Sequence, residues 1–319
     1  MRAVFTLLAV VALFLTSLPA QSVSGEEILK SIRILSDDSM EGRGTGSRGE
    51  RKAADYVVGQ FREAGLQPAA GRSYVQEVPL IGVTADPSMR LVFEGPAGRF
   101  TAAYYEEFMG CSGVAQKRVD IDSDVVFVGY GISAPEMGWD DFKGVDVRGK
   151  VILALVNDPP SDDPAVFGGK AMTYYGRWSY KYEEAVRRGA AGALLIHMTE
   201  KAGYGWPVVQ KSWIGELFQL QERPIRLPFR GWIRGEVAEK LLASLGQSLP
   251  ELVAAAGKPD FRPVPLPVRM KTRIQNRVRR LEAPNVAGIL PGTGQPERAV
   301  CLVAHIDHFG IGKPDATGD

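Results

Sequence analysis

The chain has 319 residues, 45% of them hydrophobic and 24% charged, with a formal net charge of +1. That length and balance predict a globular protein of about two domains and exclude a disordered or fibrous chain. Near-neutrality gives no reason to expect nucleic acid or an anionic membrane as partner, since both are met with clustered Lys and Arg.

The first residues carry Arg2, the apolar stretch Ala3 to Leu15 and the small-residue site Leu18-Pro19-Ala20. This is the pattern of a secretory signal over residues 1–20. Its apolar part is too short to span a bilayer, so export to the periplasm or extracellular space is expected, with no membrane anchor after cleavage. Cys111 and Cys301 permit one bridge at most, and the apolar run around Cys301 predicts a buried thiol.

Ser24 with Glu27 reads as a capping box, and Ile28, Ile32 and Leu35 follow at helical spacing. A second box, Ser47 with Glu50, opens a helix with the apolar stripe Ala54, Val57, Val58 and Phe61, closed by Gly65 and Pro68. Between them Gly44, Gly46 and Gly49 satisfy the spacing GxGxxG. A helix and a polar run precede these glycines instead of a buried strand, which favours a loop using glycine's backbone freedom over a nucleotide site.

Strands are expected at Tyr74–Ile81, Met89–Phe93 and Phe100–Tyr104, the last two joined by the turn Gly95-Pro96-Ala97-Gly98. From Val125 the composition changes. Apolar runs at Val125–Gly131, Lys150–Val156 and Ala190–Ile196, with a helical Tyr180–Arg188 before the last, predict a small α/β unit. The Pro-rich stretch Lys258–Pro267 is expected to be its exit, and the basic run Lys271–Arg280 a solvated strand edge. A hairpin is expected from Val286–Leu290 and Ala299–Ala304 around Pro291-Gly292-Thr293-Gly294.

Two of the three histidines fall in Ala304-His305-Ile306-Asp307-His308-Phe309-Gly310, where an apolar run stops at polar side chains. Alternation along a strand points His305 and Asp307 the same way, and a carboxylate two residues from an imidazole can orient the ring. His-x-Asp is short, so the residues alone leave open a metal site or a hydrogen-bonded strand terminus. The remaining histidine, His197, ends its own apolar run and is expected to be hydrogen-bonded structure. The aromatic group Tyr174, Tyr175, Trp178, Tyr180, Tyr182, Tyr204 and Trp206 either covers a substrate pocket or packs at a domain interface.

The stretch Asn285–Gly292 followed by Ala299–Gly310 resembles the segment carrying the first zinc ligand in the aminopeptidase and glutamate-carboxypeptidase family of co-catalytic zinc peptidases. Glu41-Gly42-Arg43 with Gly44 to Gly49, the helix behind it and Gly65-Leu66-Gln67-Pro68 resemble that family's N-terminal signature. Gly129-Tyr130-Gly131, Gly149-Lys150-Val151 and Gly189–Ala193 are similar to the protease-associated domain that some members carry as an insertion.

The resemblance implies an incomplete zinc-peptidase α/β sheet domain, interrupted by a β-rich protease-associated α/β insert. The peptidase domain would occupy residues 21–118 and 268–319, and the insert 119–267. His305 would be a metal ligand to one of two zinc ions, and Asp307 the catalytic-site carboxylate holding His305 in position. The complete family activity is hydrolysis of peptide bonds near a chain terminus, with a peptide or aminoacyl substrate. No bridging Asp, Glu-Glu pair or distant His of the family pattern precedes Asp319, and Asp315 and Asp319 lack the residues expected after a bridging ligand. The resemblance therefore implies an inactive chain as written, cut after the first metal-ligand motif. A non-catalytic, receptor-like binding protein on the same fold is the alternative.

Overall fold

The computed structural model describes residues 24–223, 226–294 and 297–312. The expected signal segment, residues 1–20, lies outside these, as do Asp315 and Asp319. The chain divides into two units, Met1–Glu77 with Ala283–Asp319, and Val78–Glu282.

In the first unit, helix α1 (Gly25–Leu35) starts where the Ser24 hydroxyl accepts the Glu27 N–H at 3.4 Å. Its apolar stripe is uncovered, with Ile28, Leu29 and Ile32 all exposed. A 3-10 helix (Asp38–Arg43) leads to α2 (Arg48–Glu63), whose N-terminus is capped by Ser47 accepting from the Glu50 N–H at 3.2 Å. Helix α2 buries Ala53, Ala54 and Val58, and the Tyr56 hydroxyl donates to Ser31 of α1 at 3.0 Å. The expected stripe is therefore present, shifted by one residue to include Ala53. Strand β1 (Gln67–Pro68) pairs antiparallel with Gly288–Ile289. The ends of two longer strands, Val75–Glu77 and Ala283–Val286, also fall in this unit and belong to the large sheet described below.

The expected hairpin is absent. Val286 ends a long strand described below, Gly288–Ile289 joins β1, and Ala299–Ala304 forms no strand. An isolated strand has no ladder to satisfy its backbone, and Val300 and Leu302 are each 93% exposed. Cys301 lies in this segment and is exposed, which corrects the expectation of a buried thiol; the buried cysteine is Cys111.

The second unit is an α/β sandwich. Strand β2 (Val75–Ala85) enters it and is followed by the hairpin of β3 (Arg90–Gly95) and β4 (Gly98–Ala103), which turns where the sequence predicts. Then come β5 (Phe108–Cys111), β6 (Arg118–Phe127), the short pair β7 (Ser133–Ala134) and β8 (Trp139–Asp140), and β9 (Val151–Leu155). Helix α3 (Trp178–Arg187) precedes β10 (Gly192–His197), and helices α4 (Thr199–Ala202) and α5 (Trp206–Trp213) precede β11 (Glu216–Leu220). Strand β12 (Phe229–Arg234), helices α6 (Gly235–Ser244) and α7 (Leu249–Ala256), and strand β13 (Val264–Val286) complete it.

The sheet order is β11-β2-β13-β6-β9-β10-β12-β5, with β3 on β13 and β4 on β3. Strands β6, β9, β10 and β12 run parallel, and antiparallel strands flank them. Because side chains alternate, each central strand feeds two cores. Leu153, Leu155, Leu194 and Ile196 meet Ala238, Leu241 and Leu242 of α6, while Ile152, Ala154 and Leu195 meet Tyr182 and Ala185 of α3 with Val209 and Trp213 of α5. Helices on both faces explain why these strands read as unbroken apolar runs.

The unit runs from Val78 to Glu282. Strands β2 to β6 and β13, all but its last four residues within the unit, hydrogen-bond into the one sheet. The Pro-rich stretch is loop over Lys258–Pro263 and continues into β13. Pro265 and Pro267 sit within β13, and Pro267 falls at the register shift between Leu266 and Arg269, a bulge where a strand tolerates a residue without an N–H.

The basic run is not an edge, since Arg269–Lys271 pairs with β6 on one side and β3 on the other. Met270 and Ile274 point into the core. The outward Arg269, Lys271 and Arg273 meet Asp122, Glu94 and Asp120 at 2.8, 2.7 and 2.7 Å. Carboxylates on neighbouring strands, invisible to a local charge count, let a cationic strand sit inside the sheet.

Candidate functional site

The Glu41–Gly46 loop and the Ile306–Gly310 segment, some 260 residues apart in sequence, lie side by side in the first unit. Glu41, Gly42 and Arg43 are consecutive left-handed residues, with φ of 52°, 62° and 50°, and they form a tight backbone reversal. The reversal presents two carbonyls outward. The His308 N–H donates to the Arg43 carbonyl at 2.8 Å, and the Gly310 N–H to the Gly42 carbonyl at 2.9 Å. Contact is so close that a Cβ at Gly42 would collide with the Gly310 carbonyl.

Side chains reinforce the junction. Arg43 donates through Nε to the Ile306 carbonyl at 2.9 Å and through Nη1 to the Leu35 carbonyl. The Thr45 hydroxyl donates to Asp307 Oδ2 at 3.0 Å. Glu50, 3% exposed, accepts the Gly46 N–H at 2.6 Å, where a standard box would return its carboxylate to Ser47. Burial raises the Glu50 pKa, the Gly46 N–H opposes that, and the charge of Asp307 adds to the rise.

His305 Nδ1 lies 2.9 Å from the Asp307 carbonyl oxygen and 3.5 Å from Asp307 Oδ1. Since a carbonyl can only accept, this contact requires the proton on Nδ1 and leaves a lone pair on Nε2. The imidazole side chain is 84% exposed. Asp307 therefore does contact His305, with its main-chain oxygen nearer the ring than its carboxylate. The expected origin of the ring at the tip of a buried strand is corrected, because residues 299–304 are exposed and carry no strand.

A zinc site takes three or more protein ligands. Among the described residues, no group of three His, Cys, Asp or Glu side chains is placed to hold a metal. His305 offers one suitable donor, and the described residues do not assemble the remaining ligands around it.

The remaining sequence candidates resolve otherwise. His197 is buried, with Nε2 at 2.9 Å from the Tyr204 carbonyl, and burial lowers its pKa; it is hydrogen-bonded structure. Of the three spaced glycines only Gly46 is left-handed, with φ of 68°; Gly44 packs against Gly310 and Gly49, inside α2, against the Met40 carbonyl, where close approach rather than backbone freedom calls for glycine. Tyr180, Tyr182 and Trp206 are core residues of the second unit, whereas Tyr174 and Trp178 are exposed. Sequence reasoning did not assign Arg43 and Thr45 as the residues that hold Ile306 and Asp307, or Glu50 as the one that holds the loop at Gly46. Arg43 and Thr45 lie in the stretch Glu41–Gly49 singled out above, and Glu50 in the capping box, but neither signal points to residues 306–310.

No family model matches the sequence, and no characterised protein matches it in a sequence comparison. Among solved structures, that of BSAP, a zinc aminopeptidase from Bacillus subtilis, aligns over 86% of this chain with 14% identity and a TM-score of 0.32. This chain spans 49% of the length of that structure. A superposition that loose carries no argument about the site. No described helix is long and apolar enough to cross a membrane.

Proposed function

We propose that this chain belongs to an exported, zinc-dependent metallopeptidase of the aminopeptidase kind, acting on peptide or aminoacyl substrates near a chain terminus. In this reading His305 is a metal ligand through Nε2, and Asp307 is a positioning residue that fixes the ring's tautomer. The protease-associated insert, residues 119–267, then lies within the unit Val78–Glu282. One observation carries the reading: the two stretches that resemble the family's signatures meet, with Thr45 of one holding Asp307 of the other beside His305. A loop of this kind has no reason to clamp an exposed segment unless that segment must be held in register.

The test uses the complete gene product, assayed for bound zinc by elemental analysis and for hydrolysis of aminoacyl p-nitroanilides. His305→Ala is expected to lower zinc content and abolish hydrolysis while leaving the melting of the second unit unchanged. Retention of both zinc and activity in that variant removes His305 from the site and the peptidase reading with it.

A further inference from the structure

In the second unit the chain between β9 and α3 closes on itself. The Asn157 N–H donates to the Gly176 carbonyl at 3.0 Å, and the Asp158 carboxylate accepts from the Thr173 N–H and hydroxyl at 2.6 and 3.0 Å. Lys181 of α3 pins both sides of this neck, donating to the Asn157 carbonyl at 3.2 Å and the Tyr175 carbonyl at 2.6 Å. A Cβ at Gly176 would meet Met172 and Asp158, so the neck is drawn tight. A loop whose ends meet in this way is of the Ω kind, a compact body on a narrow stalk.

The body of the loop has one anchor. Residues 160–172 hydrogen-bond only among themselves, within the described residues, and Phe167 alone of them is buried. Its ring meets Trp139 of β8 edge-on, with centroids 5.3 Å apart, and Tyr175 at 5.8 Å. The anchor is strained. Phe167 has φ of 48°, a left-handed conformation that a residue with a Cβ disfavours, and Gly168 and Gly169 continue the left-handed path at 71° and 65°. Burial of the ring holds the backbone in this conformation, so withdrawing it loses burial and relieves strain at once. Those opposing changes leave the anchor lightly held.

The loop also walls two cavities at the carboxyl ends of the parallel strands β9 and β10, where α/β sheets present ligand sites. Met172, Gly176 and Arg177 line one of about 330 Å³, and Asp158–Asp162 with Gly169–Ala171 line one of about 450 Å³. Asn157 and Lys201 line both. We propose that residues 158–175 are a lid, tied at its neck by Lys181 and latched by Phe167, which opens the carboxyl ends of β9 and β10 when the ring leaves Trp139. The lid lies wholly within the second unit and stands apart from the peptidase reading.

Opening takes the Phe167 ring off Trp139, whose indole signal is identified among those of the five tryptophans by Trp139→Phe. Lid motions fall in the microsecond-to-millisecond range that NMR relaxation dispersion reads. In the full chain, the Trp139 indole and the Gly169 and Ala171 amides are expected to exchange between two states at one shared rate, while the Asn157 amide at the neck stays flat. Phe167→Ala is expected to abolish that exchange and to move the Trp139 indole signal to the position of the minor state. The wild-type measurement decides the matter even where this variant fails to fold. Flat dispersion at Trp139, or rates at Trp139 and the loop amides that differ, overturns the proposal.

Discussion

Substituting Gly42 by Ala strains the junction between the two signature segments in a way whose size can be worked out. The residue has φ of 62°, and a left-handed backbone costs a residue with a Cβ about 1–2 kcal/mol. The added Cβ also meets the Gly310 carbonyl, a backbone atom that cannot rotate away. Opposing this is the docking of residues 306–310. It consists of the His308 and Gly310 main-chain bonds, the Arg43–Ile306 bond and the Thr45–Asp307 bond. At about 1 kcal/mol each these hold the segment by about 4 kcal/mol, and Phe309 and Ile311 are exposed and add little burial.

The Cβ cannot be placed with the Gly310 carbonyl where it is, so the expected outcome is release of the segment without unfolding of the rest. Amide hydrogen exchange reads it directly: protection of the His308 and Gly310 N–H groups should fall to that of unstructured chain. Gly65→Ala is the control. Gly65 has φ of 72° with nothing near its absent Cβ, so it carries the same backbone cost with no collision, and protection at His308 should survive. Unchanged protection in Gly42→Ala refutes the close approach on which the junction depends.

Two further perturbations concern the second unit. Lys181 is fully buried, donating to the carbonyls of Asn157 at 3.2 Å and Tyr175 at 2.6 Å, and burial lowers its pKa to about 7 against the partial opposition of Asp141 and Asp158. Between about 7 and the ordinary lysine value the unfolded chain holds the proton that the folded one has lost. Stability contributed by this group therefore rises with pH across that window, by up to about 1.4 kcal/mol per pH unit. The stability of the wild type relative to Lys181→Met should increase from pH 7 to pH 9 in denaturant titrations, and a pH-independent difference would contradict the burial. Leu153→Ala, at the centre of β9 and fully buried, should cost about 2–5 kcal/mol and lower the melting temperature of the second unit; a loss under about 1 kcal/mol would place Leu153 outside the core.

The parallel strands β9 and β10 are legible in the sequence because each is a short apolar run bounded by turn residues, and burial on both faces leaves no alternation to decode. Helices α1 and α2 are legible from Ser24 and Ser47, since a cap is a local device. Strand β13 misleads because its meaning is not local. Arg269, Lys271 and Arg273 look like a guard against aggregation until Asp120, Asp122 and Glu94 arrive from neighbouring strands.

The segment Ala299–Ala304 shows the opposite failure. Its apolar residues announce a strand, but a strand exists only with a partner, and none of the described residues pairs with it. At the candidate site, His305 and Asp307 stand out by residue type and spacing. The support from Arg43 and Thr45 does not, because a hydrogen bond spanning more than 250 positions leaves no periodic trace.

The central claim is that the imidazole of His305, with Nδ1 committed to Asp307, offers Nε2 to a zinc ion. Crystals of the complete gene product grown with zinc, measured across the zinc absorption edge, test it most directly. An anomalous peak is expected about 2.0–2.1 Å from His305 Nε2. A zinc peak elsewhere in the protein, with that ring directed away from it, would contradict the claim.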